Sequence, residues 1–368
     1  MIKIIEKDFE SFFKVPFKIR GKKSLYAAPF KPELKKMLST RNPMFQSENN
    51  FTFFTAFKDG LLAGRICTHI HHEFNERYKT KKCYFGFFEC INDQEVANEL
   101  FMSAEKFAKD KGYDNLCGNY NLTAMQEMGV MVDGFDNEPY ILQSFGLSYY
   151  PELMKNAGFY PTFPMNTYEI DLTALDPEKI ISEKQRKLLL DPEYEFVPVT
   201  RKEYQKLRPY ILDIFNKGFG QNELFVPISQ EEFDFQGDAL VYFMDSNISF
   251  IAKHKGVPIG VSIHIPDINP LLRETCSKIG FSTLYHFLKY KFKRDRTLCV
   301  FSSIMPEYQN NGVLGVIIYL AMVAMKKRGY KRIGITWISE SNTASLKKME
   351  DLKAKKIHAL RIFEKQLN

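Results

Sequence analysis

The sequence predicts an α/β fold, α+β in detail, in which a mixed central sheet flanked by helices is built twice along the chain. Three observations lead to this prediction. At 368 residues the chain is longer than the roughly 100 to 200 residues of a typical domain. Strand-like and helix-like apolar periods follow the same order in both halves. A charged, proline-punctuated stretch at 171–198 separates these halves.

The first half is predicted to contain a hairpin followed by a crossover helix. The aromatic run 51–57 and the branched run 61–70 flank Asp59-Gly60, a dipeptide that favours a tight turn. A segment with the apolar spacing of a helix then lies between two strand-like runs. Strands that are connected through a helix usually pair in parallel, so the sheet should be partly parallel. The elements that follow the hairpin are a strand at 83–90, a helix at 94–112, a strand at 115–120 and a helix at 150–157.

The second half repeats this plan. Two apolar runs flank the turn Lys255-Gly256, and a long apolar helix again lies between two strands. The predicted elements are a helix at 204–215, strands at 248–254, 259–265 and 298–304, a helix at 315–328 and a strand at 332–337. The sequence therefore favours two domains, 1–172 and 173–368.

Composition and charge narrow the class of protein. With 45% hydrophobic and 26% charged residues, the chain resembles ordinary globular proteins. The net charge of +7 favours an anionic ligand or an acidic membrane surface. Nucleic-acid binding is not expected, because zinc-finger spacing, a basic helix with heptads and an aromatic RNA-binding strand are all missing. The amino-terminal segment is charged where a signal peptide is apolar, so we expect a cytoplasmic protein.

The cysteines and histidines do not predict a metal site. The six cysteines form no CxxC pair and lie mostly in apolar runs, which suits buried thiols in a reducing compartment. His69, His71 and His72 lie close together, but no cysteine or acidic residue at ligand spacing completes a set. We expect no disulfide and no metal.

A polar turn with two glycines joins the strand at 298–304 to the helix at 315–328. The backbone N–H groups of such a turn and the positive end of the helix dipole point at one small volume, where a pyrophosphate can bind. Gly312 and Gly315 carry no Cβ, so the backbone can approach a ligand closely. An ordinary strand-to-helix turn is the alternative interpretation.

The segment Gln309-Asn310-Asn311-Gly312, placed between a strand and a helix, resembles the Q/R-x-x-G-x-G/A pyrophosphate loop of GNAT acyltransferases. One position departs from that pattern, because Leu314 stands where a second small residue is expected. The resemblance implies acyl-CoA or acetyl-CoA as co-substrate. The implied cofactor contacts are the backbone of Ile304 and Met305, together with Gln309, Asn310, Asn311, Gly312, Val313, Leu314, Gly315 and Asn342.

Two further segments bear on this resemblance. Segment 337–342 is similar to the GNAT segment whose asparagine contacts the cofactor, but the tyrosine that often follows seven residues later is here Met349. Methionine has no proton to give the departing thiolate, so another group or solvent has to supply one. In the first half, segment 91–95 has no glycine and two acidic residues. Domain 1–172 is therefore expected to lack a CoA site and to shape the acceptor site or the domain interface, and domain 173–368 to carry the acyl-CoA site.

Several longer segments together resemble a group of tandem GNAT proteins that includes the bacterial ceramide synthases. They are 59–66, 85–89, 119–121, 131–135, 225–227, 266–269 and 361–365. This resemblance implies transfer of a fatty acyl group from CoA to the amine of a long-chain base or another amino lipid, an activity in lipid metabolism. The proline-rich opening departs from the group, with phenylalanine where it has tryptophan, which leaves the acceptor open.

Polar residues near strand ends are the candidates for catalysis. Amide formation needs an uncharged amine, so a base or a water chain must take a proton while N–H groups stabilise the oxyanion. For each candidate, a turn, cap or buried structural role is the competing interpretation. The candidates are Glu89, Asp133, His264, Asp267 and Asn269.

Segment 285–294 mixes aromatic with basic residues. One interpretation is a helix at the periphery of the inner membrane that lets the enzyme take up a lipid acceptor. The pattern favours the alternative, an amphipathic helix that covers the sheet and exposes its lysines.

Two other functions fit parts of the sequence. A tandem GNAT aminoacyl or peptidyl transferase that uses charged tRNA would explain the doubled fold and the positive charge, although it needs no CoA loop. A non-catalytic GNAT pair that binds a lipid or a protein partner would explain Met349 and the altered first loop.

Overall fold

The computed structural model describes residues 1–21, 24–45, 47–122, 127–241 and 243–367. The chain forms two compact units that each combine segments distant in sequence. Unit 1 comprises Met1–Asn166, Asn269–Phe287 and Ile357–Asn368, and unit 2 comprises Thr167–Ile268 and Leu288–Lys356. Every helix within the described ranges is too short or too polar to cross a membrane.

The strands are numbered in chain order. They are β1 (Ile2–Glu6), β2 (Phe51–Lys58), β3 (Leu61–Ile70), β4 (Lys82–Cys90), β5 (Asn115–Gly118), β6 (Val130–Asp133), β7 (Tyr160–Asp171), β8 (Tyr194–Pro198), β9 (Phe250–His254), β10 (Val257–Pro266), β11 (Arg296–Ile304), β12 (Arg332–Ser339) and β13 (Lys355–Gln366). Strand β7 begins in unit 1 and ends in unit 2.

The helices are α1 (Phe9–Ile19), α2 (Lys31–Met37), α3 (His72–Tyr78), α4 (Gln94–Asp110), α5 (Tyr150–Asn156), α6 (Glu183–Leu190), α7 (Arg201–Phe219), α8 (Gln230–Val241), α9 (Asn269–Glu274), α10 (Thr283–Lys293), α11 (Val313–Lys327) and α12 (Thr343–Asp351). Several begin at residues that accept hydrogen bonds from the first turn. Ser182 and Thr200 form capping boxes at α6 and α7, which satisfy amides that the helix itself leaves unpaired.

In unit 1, one parallel pair of strands lies among antiparallel pairs. Strands β1 to β4 pair antiparallel in chain order, β4 and β5 pair parallel, and β13 pairs antiparallel with both β5 and β6. Helix α4 makes the parallel crossover and packs Leu100 and Phe101 against Phe85 and Phe88 of β4. Phe363 of β13 is fully buried in the same cluster.

Unit 2 repeats this arrangement. Strands β8 to β11 pair antiparallel in chain order, and β11 and β12 pair parallel across the crossover helix α11. Val316 and Ile317 of α11 are fully buried, because the helix lies on the sheet and its apolar residues recur at helical spacing. The predicted α/β fold with a doubled unit is confirmed.

The predicted elements agree with the observed ones apart from their ends. Helix α11 begins at Val313, two residues before the predicted start, because Gly312 takes a left-handed backbone and the helix follows it directly. Strand β5 ends at Gly118 and is shorter than predicted. The predicted domain boundary at 172/173 lies near the end of the first segment of unit 1, and two later segments also belong to that unit.

Candidate functional site

The parallel strands β11 and β12 of unit 2 are hydrogen-bonded over a short stretch and then diverge. β11 pairs with β12 from Arg296–Arg332 to Cys299–Ile335, although β11 continues to Ile304 and β12 to Ser339. A groove therefore opens between the two strands. The residues on either side of it, 300–302 and 335–337, are only half-buried. Backbone groups at such an opening can hydrogen-bond an extended ligand, as the edge of a sheet does.

Beyond the strand ends, the chain turns into α11 through the predicted loop. Asn310 has φ 62° and Gly312 has φ 100°, so two residues of the loop take the left-handed region. Gly312 is the N-cap of α11 and has no side chain to bond the first amides. Asn311 Oδ1 accepts a hydrogen bond from the backbone N–H of Val313 at 3.2 Å. The other amides of the first turn lack a helical acceptor, which suits an anion.

Helix α6 packs against this turn at the two glycines. A Cβ on Gly315 would overlap the side-chain amide of Gln185, and one on Gly312 would lie 3.3 Å from Gln185 Cγ. Gln185 is held because its Oε1 accepts from the backbone N–H of Ser182 at 2.8 Å. Gly315 therefore makes room for Gln185, which differs from the expectation that it makes room for a phosphate. The Gln185 Nε2 group is a donor, so it is compatible with an anion at the same place.

The apolar side of the loop is fixed by packing. Val313 is fully buried, and Leu314 packs against the same cluster, which gives a physical reason for the departure from the GNAT pattern at that position. Tyr308, which precedes the loop, bonds His254 through its hydroxyl and Nδ1 at 2.9 Å. His254 Nε2 lies 3.3 Å from Glu193 Oε2.

The remaining predicted cofactor contacts lie around the groove and its ends. The backbone N–H of Met305 already donates to the carbonyl of Ile259 at 2.8 Å, and its carbonyl accepts from the N–H of Tyr308 at 2.9 Å, so a ligand could bond only the second lone pair of that oxygen. Asn342 caps α12, where its Oδ1 accepts from the N–H of Ser345 at 3.0 Å. Met349 lies on α12 and is buried in the core, so it has no part in proton transfer.

A chain of polar side chains connects β10 to β11 near the point where β12 departs. His264 Nε2 lies 2.8 Å from Ser262 Oγ, which lies 2.5 Å from Ser302 Oγ. Cys299 Sγ lies 3.3 Å from Ser302 Oγ. A bulge at Val300 produces this arrangement, because Ile263 pairs with Phe301 while His264 pairs with Cys299.

His264 is buried, and its Nδ1 has no hydrogen-bond partner among the described residues. Burial lowers the pKa of His264 to about 3. The imidazole is therefore neutral at physiological pH and can accept a hydrogen bond from Ser262. The alternation Ser262-x-His264 places both on one strand face, a signal that was available in the sequence.

The equivalent positions of unit 1 are filled by the protein itself. β4 and β5 also part after four pairs, but Asn121 Oδ1 accepts from the N–H of Phe87 at 2.6 Å and Asn119 Oδ1 from that of Phe88 at 3.4 Å. At the start of α4, the Asp93 carboxylate accepts from the amides of Glu95 and Val96. An anion of the chain thus occupies the helix terminus that unit 2 leaves open.

Glu89 is held as a buried ion pair and is not an available base. Its oxygens accept from Arg20 Nε at 2.8 Å and Nη2 at 3.0 Å, and from the Tyr150 hydroxyl at 2.7 Å. Arg65 lies 3.8 Å away on the other side. Removing one partner of such a pair leaves an uncompensated buried charge, so Glu89 has a structural role.

A small cavity of about 40 Å³ lies beside this ion pair, and Glu127 lines it. Glu127 Oε2 accepts from Asn121 Nδ2 at 2.7 Å. Burial raises the pKa of Glu127 to about 7, against the opposing effect of the Asn121 hydrogen bond. Among the described residues, Arg20 Nη1 and Arg65 Nε have no hydrogen-bond partner. Sequence analysis missed this cluster, because its members come from distant segments.

The other catalytic candidates have local roles. Asp133 is exposed at the end of β6 and accepts from the N–H of Gly134 at 2.8 Å. Asp267 is buried, 3.2 Å from Arg296 Nη1. Asn269 begins α9 and donates through Nδ2 to the carbonyl of Pro139 at 3.1 Å. Of the catalytic candidates in unit 2, His264 and not Asp267 is linked by described hydrogen bonds to Ser302 at the groove.

Comparisons with known proteins agree with this architecture. No family model matches the chain. Over 98% of its length it is 25% identical to Protein YghO of Escherichia coli (strain K12), of which it covers 93%. Over 98% of its length it is also 22% identical to the bacterial ceramide synthase of Caulobacter vibrioides, of which it covers 95%. Among solved structures, a tandem GNAT protein from the clavulanic acid biosynthesis pathway aligns with a TM-score of 0.60 at 10% identity, covering 100% of this chain and 98% of that one.

The chain has the tandem GNAT fold. The resemblance predicted from the sequence is thereby confirmed, including the group that contains a bacterial ceramide synthase. In the tandem GNAT arrangement of this chain, the open loop and groove lie in unit 2, and the corresponding positions of unit 1 are closed by side chains.

Proposed function

We propose that this tandem GNAT protein is an acyl-CoA-dependent N-acyltransferase. The observation that carries the proposal is the groove between β11 and β12, which leads to the open first turn of α11 at Gly312. The pantetheine arm of an acyl-CoA would lie along the backbone at 300–304, of which 300–302 are half-buried, and its pyrophosphate at 309–315. The first-turn amides of α11 and the Gln185 amide would supply the donors.

The acceptor that we propose is an amine, of the class of long-chain bases and other amino lipids. The support for this finer assignment is the similarity to a bacterial ceramide synthase over 98% of the chain. An acceptor amine must lose its proton before it attacks the thioester. Ser302 is half-buried beside the groove and its hydroxyl bonds Ser262, so its oxygen can accept a hydrogen bond from the acceptor amine while the amine proton passes to solvent in the groove.

His264 orients the hydroxyl groups of Ser262 and Ser302 but does not take up the proton. Its pKa of about 3 means that protonation near pH 7 would cost about 5 kcal/mol, since each pKa unit corresponds to about 1.4 kcal/mol. The neutral ring accepts a hydrogen bond from Ser262 and so fixes the direction of the hydroxyl chain. We therefore assign His264 as a positioning residue, with solvent as the final proton acceptor.

The decisive variant is Gly312→Asp, with Gly256→Asp as its matched control. Both glycines have positive φ, 100° and 80°, so the backbone strain of the substitutions is comparable. Gly256 lies in an open hairpin turn with nothing near its Cβ position. We expect saturable binding of palmitoyl-CoA by calorimetry, weakened by more than about tenfold in Gly312→Asp, because the carboxylate repels the pyrophosphate.

Thiol release provides the second measurement. Wild-type protein incubated with palmitoyl-CoA and a long-chain amine should release CoA thiol, and Gly256→Asp should match it. Binding without thiol release from any amine would favour the non-catalytic lipid-binding pair. Binding of charged tRNA in place of acyl-CoA would favour the aminoacyl transferase, and either result would overturn the proposal.

A further inference from the structure

Helix α10 exposes apolar side chains as well as lysines. Phe292 is 88% exposed and Leu284 67%, and Phe281, just before the helix, is fully exposed. Tyr285 and Leu288 are exposed as well. This differs from the expected helix that covers the sheet with its apolar residues. Single exposed apolar residues are common, but a group on one element marks an interaction surface.

The exposed residues share one face of the helix. At 100° per residue, positions 284, 285, 288 and 292 fall within an arc of about 100°. Tyr290, on the opposite side, is the buried residue of the helix. Thr283 and His286 on that side are half-buried. The helix thus has a packed face and, opposite to it, an uncovered apolar face.

Basic residues border the apolar face. Lys291 lies at one edge of the arc and Lys289 and Lys293 beyond the other, all three exposed. Lys278 precedes the helix and is exposed too. Segment 278–294 contains no acidic residue. Arg294 is not assigned to this basic border, because its side chain pairs with Asp245 at 2.9 Å.

We propose that segment 278–294 is a docking surface for an anionic lipid bilayer. A helix with a central apolar stripe and lysines on both borders matches the interface of a membrane, where rings enter the acyl boundary and ammonium groups contact phosphates. The lysines favour an anionic surface over a neutral one, because their ammonium groups are attracted by its negative surface potential. This surface shares no residue with the proposed acyl-CoA site.

The test is cosedimentation of the full chain with vesicles of phosphatidylcholine, with or without one-third phosphatidylglycerol. We expect binding to the anionic vesicles that weakens as salt rises. The double variant Phe281→Ser/Phe292→Ser should lose about a hundredfold in affinity, about tenfold for each ring removed from the interface. Lys291→Glu/Lys293→Glu should lose at least tenfold at low salt.

The matched control is Leu61→Ser/Val257→Ser, which removes two exposed apolar side chains from hairpin ends elsewhere. It should bind like wild type, and thermal melting should show all variants folded. Equal binding to neutral and anionic vesicles, or unchanged binding of the phenylalanine variant, would overturn the proposal. Light scattering gives a further outcome: a dimer that the phenylalanine variant dissociates would assign the face to a second copy of the chain.

Discussion

The environment of Glu127 moves the pKa of its carboxyl towards neutral pH. Its carboxyl lines the small cavity of unit 1 and bonds Asn121, and burial raises its pKa from 4.5 to about 7. A folded-state pKa above the unfolded one means that the folded protein binds the proton more tightly. The associated stability is complete below pH 4.5 and is lost as the pH rises towards 7.

We expect Glu127→Gln to remove this pH dependence. Between pH 5 and pH 8 the wild-type free energy of unfolding should fall by up to about 3 kcal/mol more than that of the variant. Denaturant unfolding at the two pH values measures the difference. The exposed Glu152→Gln is the control and should follow wild type. An equal fall in Glu127→Gln and wild type would mean that Glu127 is ionised throughout.

Glu89 lies beside the cavity that Glu127 lines, and it shows why the role of a single residue is hard to predict from sequence. Its position at the end of an apolar strand was correctly seen, and this made it a candidate base. The two hydrogen bonds from Arg20 come from a residue 69 positions away, and no local pattern indicates them. The same holds for Arg65 and Tyr26, which meet at 3.1 Å across 39 positions.

At the scale of elements, the contact between α6 and α11 rests on Gln185 and Gly315. A Cβ at position 315 would displace the Gln185 amide from the capping box of α6, a loss of about 1 kcal/mol. Alanine in place of glycine gains about 0.5 to 1 kcal/mol in a helix. The two effects have opposite signs, so the single substitution alone gives little information.

We therefore predict a coupling between the two positions. Gly315→Ala should be nearly neutral in wild type and stabilising in the Gln185→Ala background, with a coupling energy of about 1 kcal/mol. Denaturant unfolding of the double-mutant cycle measures it. Ser182→Ala is the control: it removes the hydroxyl of the capping box but keeps the backbone N–H that bonds Gln185 Oε1, so Gly315→Ala should have the same effect in it as in wild type. Additive effects would show that α6 does not hold Gln185 over the turn.

The elements themselves were largely predictable. The hairpin at Asp59-Gly60 and the helix from Gln94 follow from local turn residues and apolar period, which act over a few positions. The loop before α11 was also found, because glycines after a strand are a local signal. The exposed face of α10 was not, since its apolar spacing fits packing and exposure equally well. Only the tertiary structure decides which face is covered.

At the scale of the whole molecule, the two units differ in what fills the space between their parting strands. In unit 1, backbone N–H groups at these positions donate hydrogen bonds to the side chains of Asp93, Asn119 and Asn121. In unit 2, the residue at the matching helix start is Gly312. Sequence analysis anticipated the closed loop of the first half from its acidic residues. It did not anticipate the asparagines, which reach β4 from the segment after β5.

We expect one acyl-CoA per chain as a consequence. Calorimetric titration with palmitoyl-CoA should give a stoichiometry of one, because only unit 2 presents an open first turn. Gly312→Asp should then leave no second site of similar affinity. A stoichiometry of two, or strong residual binding in that variant, would show that unit 1 also accepts the co-substrate. This prediction rests on the proposed function and on the side chains that close unit 1.

The pairing of β13 with β5 has a consequence for the order in which the protein is made. Unit 1 needs β13 to cover the edge of β5, and Phe363 to complete its core, yet all of unit 2 is encoded between these strands. During synthesis on the ribosome, the edge of β5 in unit 1 stays uncovered until β13 has been translated. Unit 2 is translated before that point and can already collapse. The unit that is begun first is thus completed last.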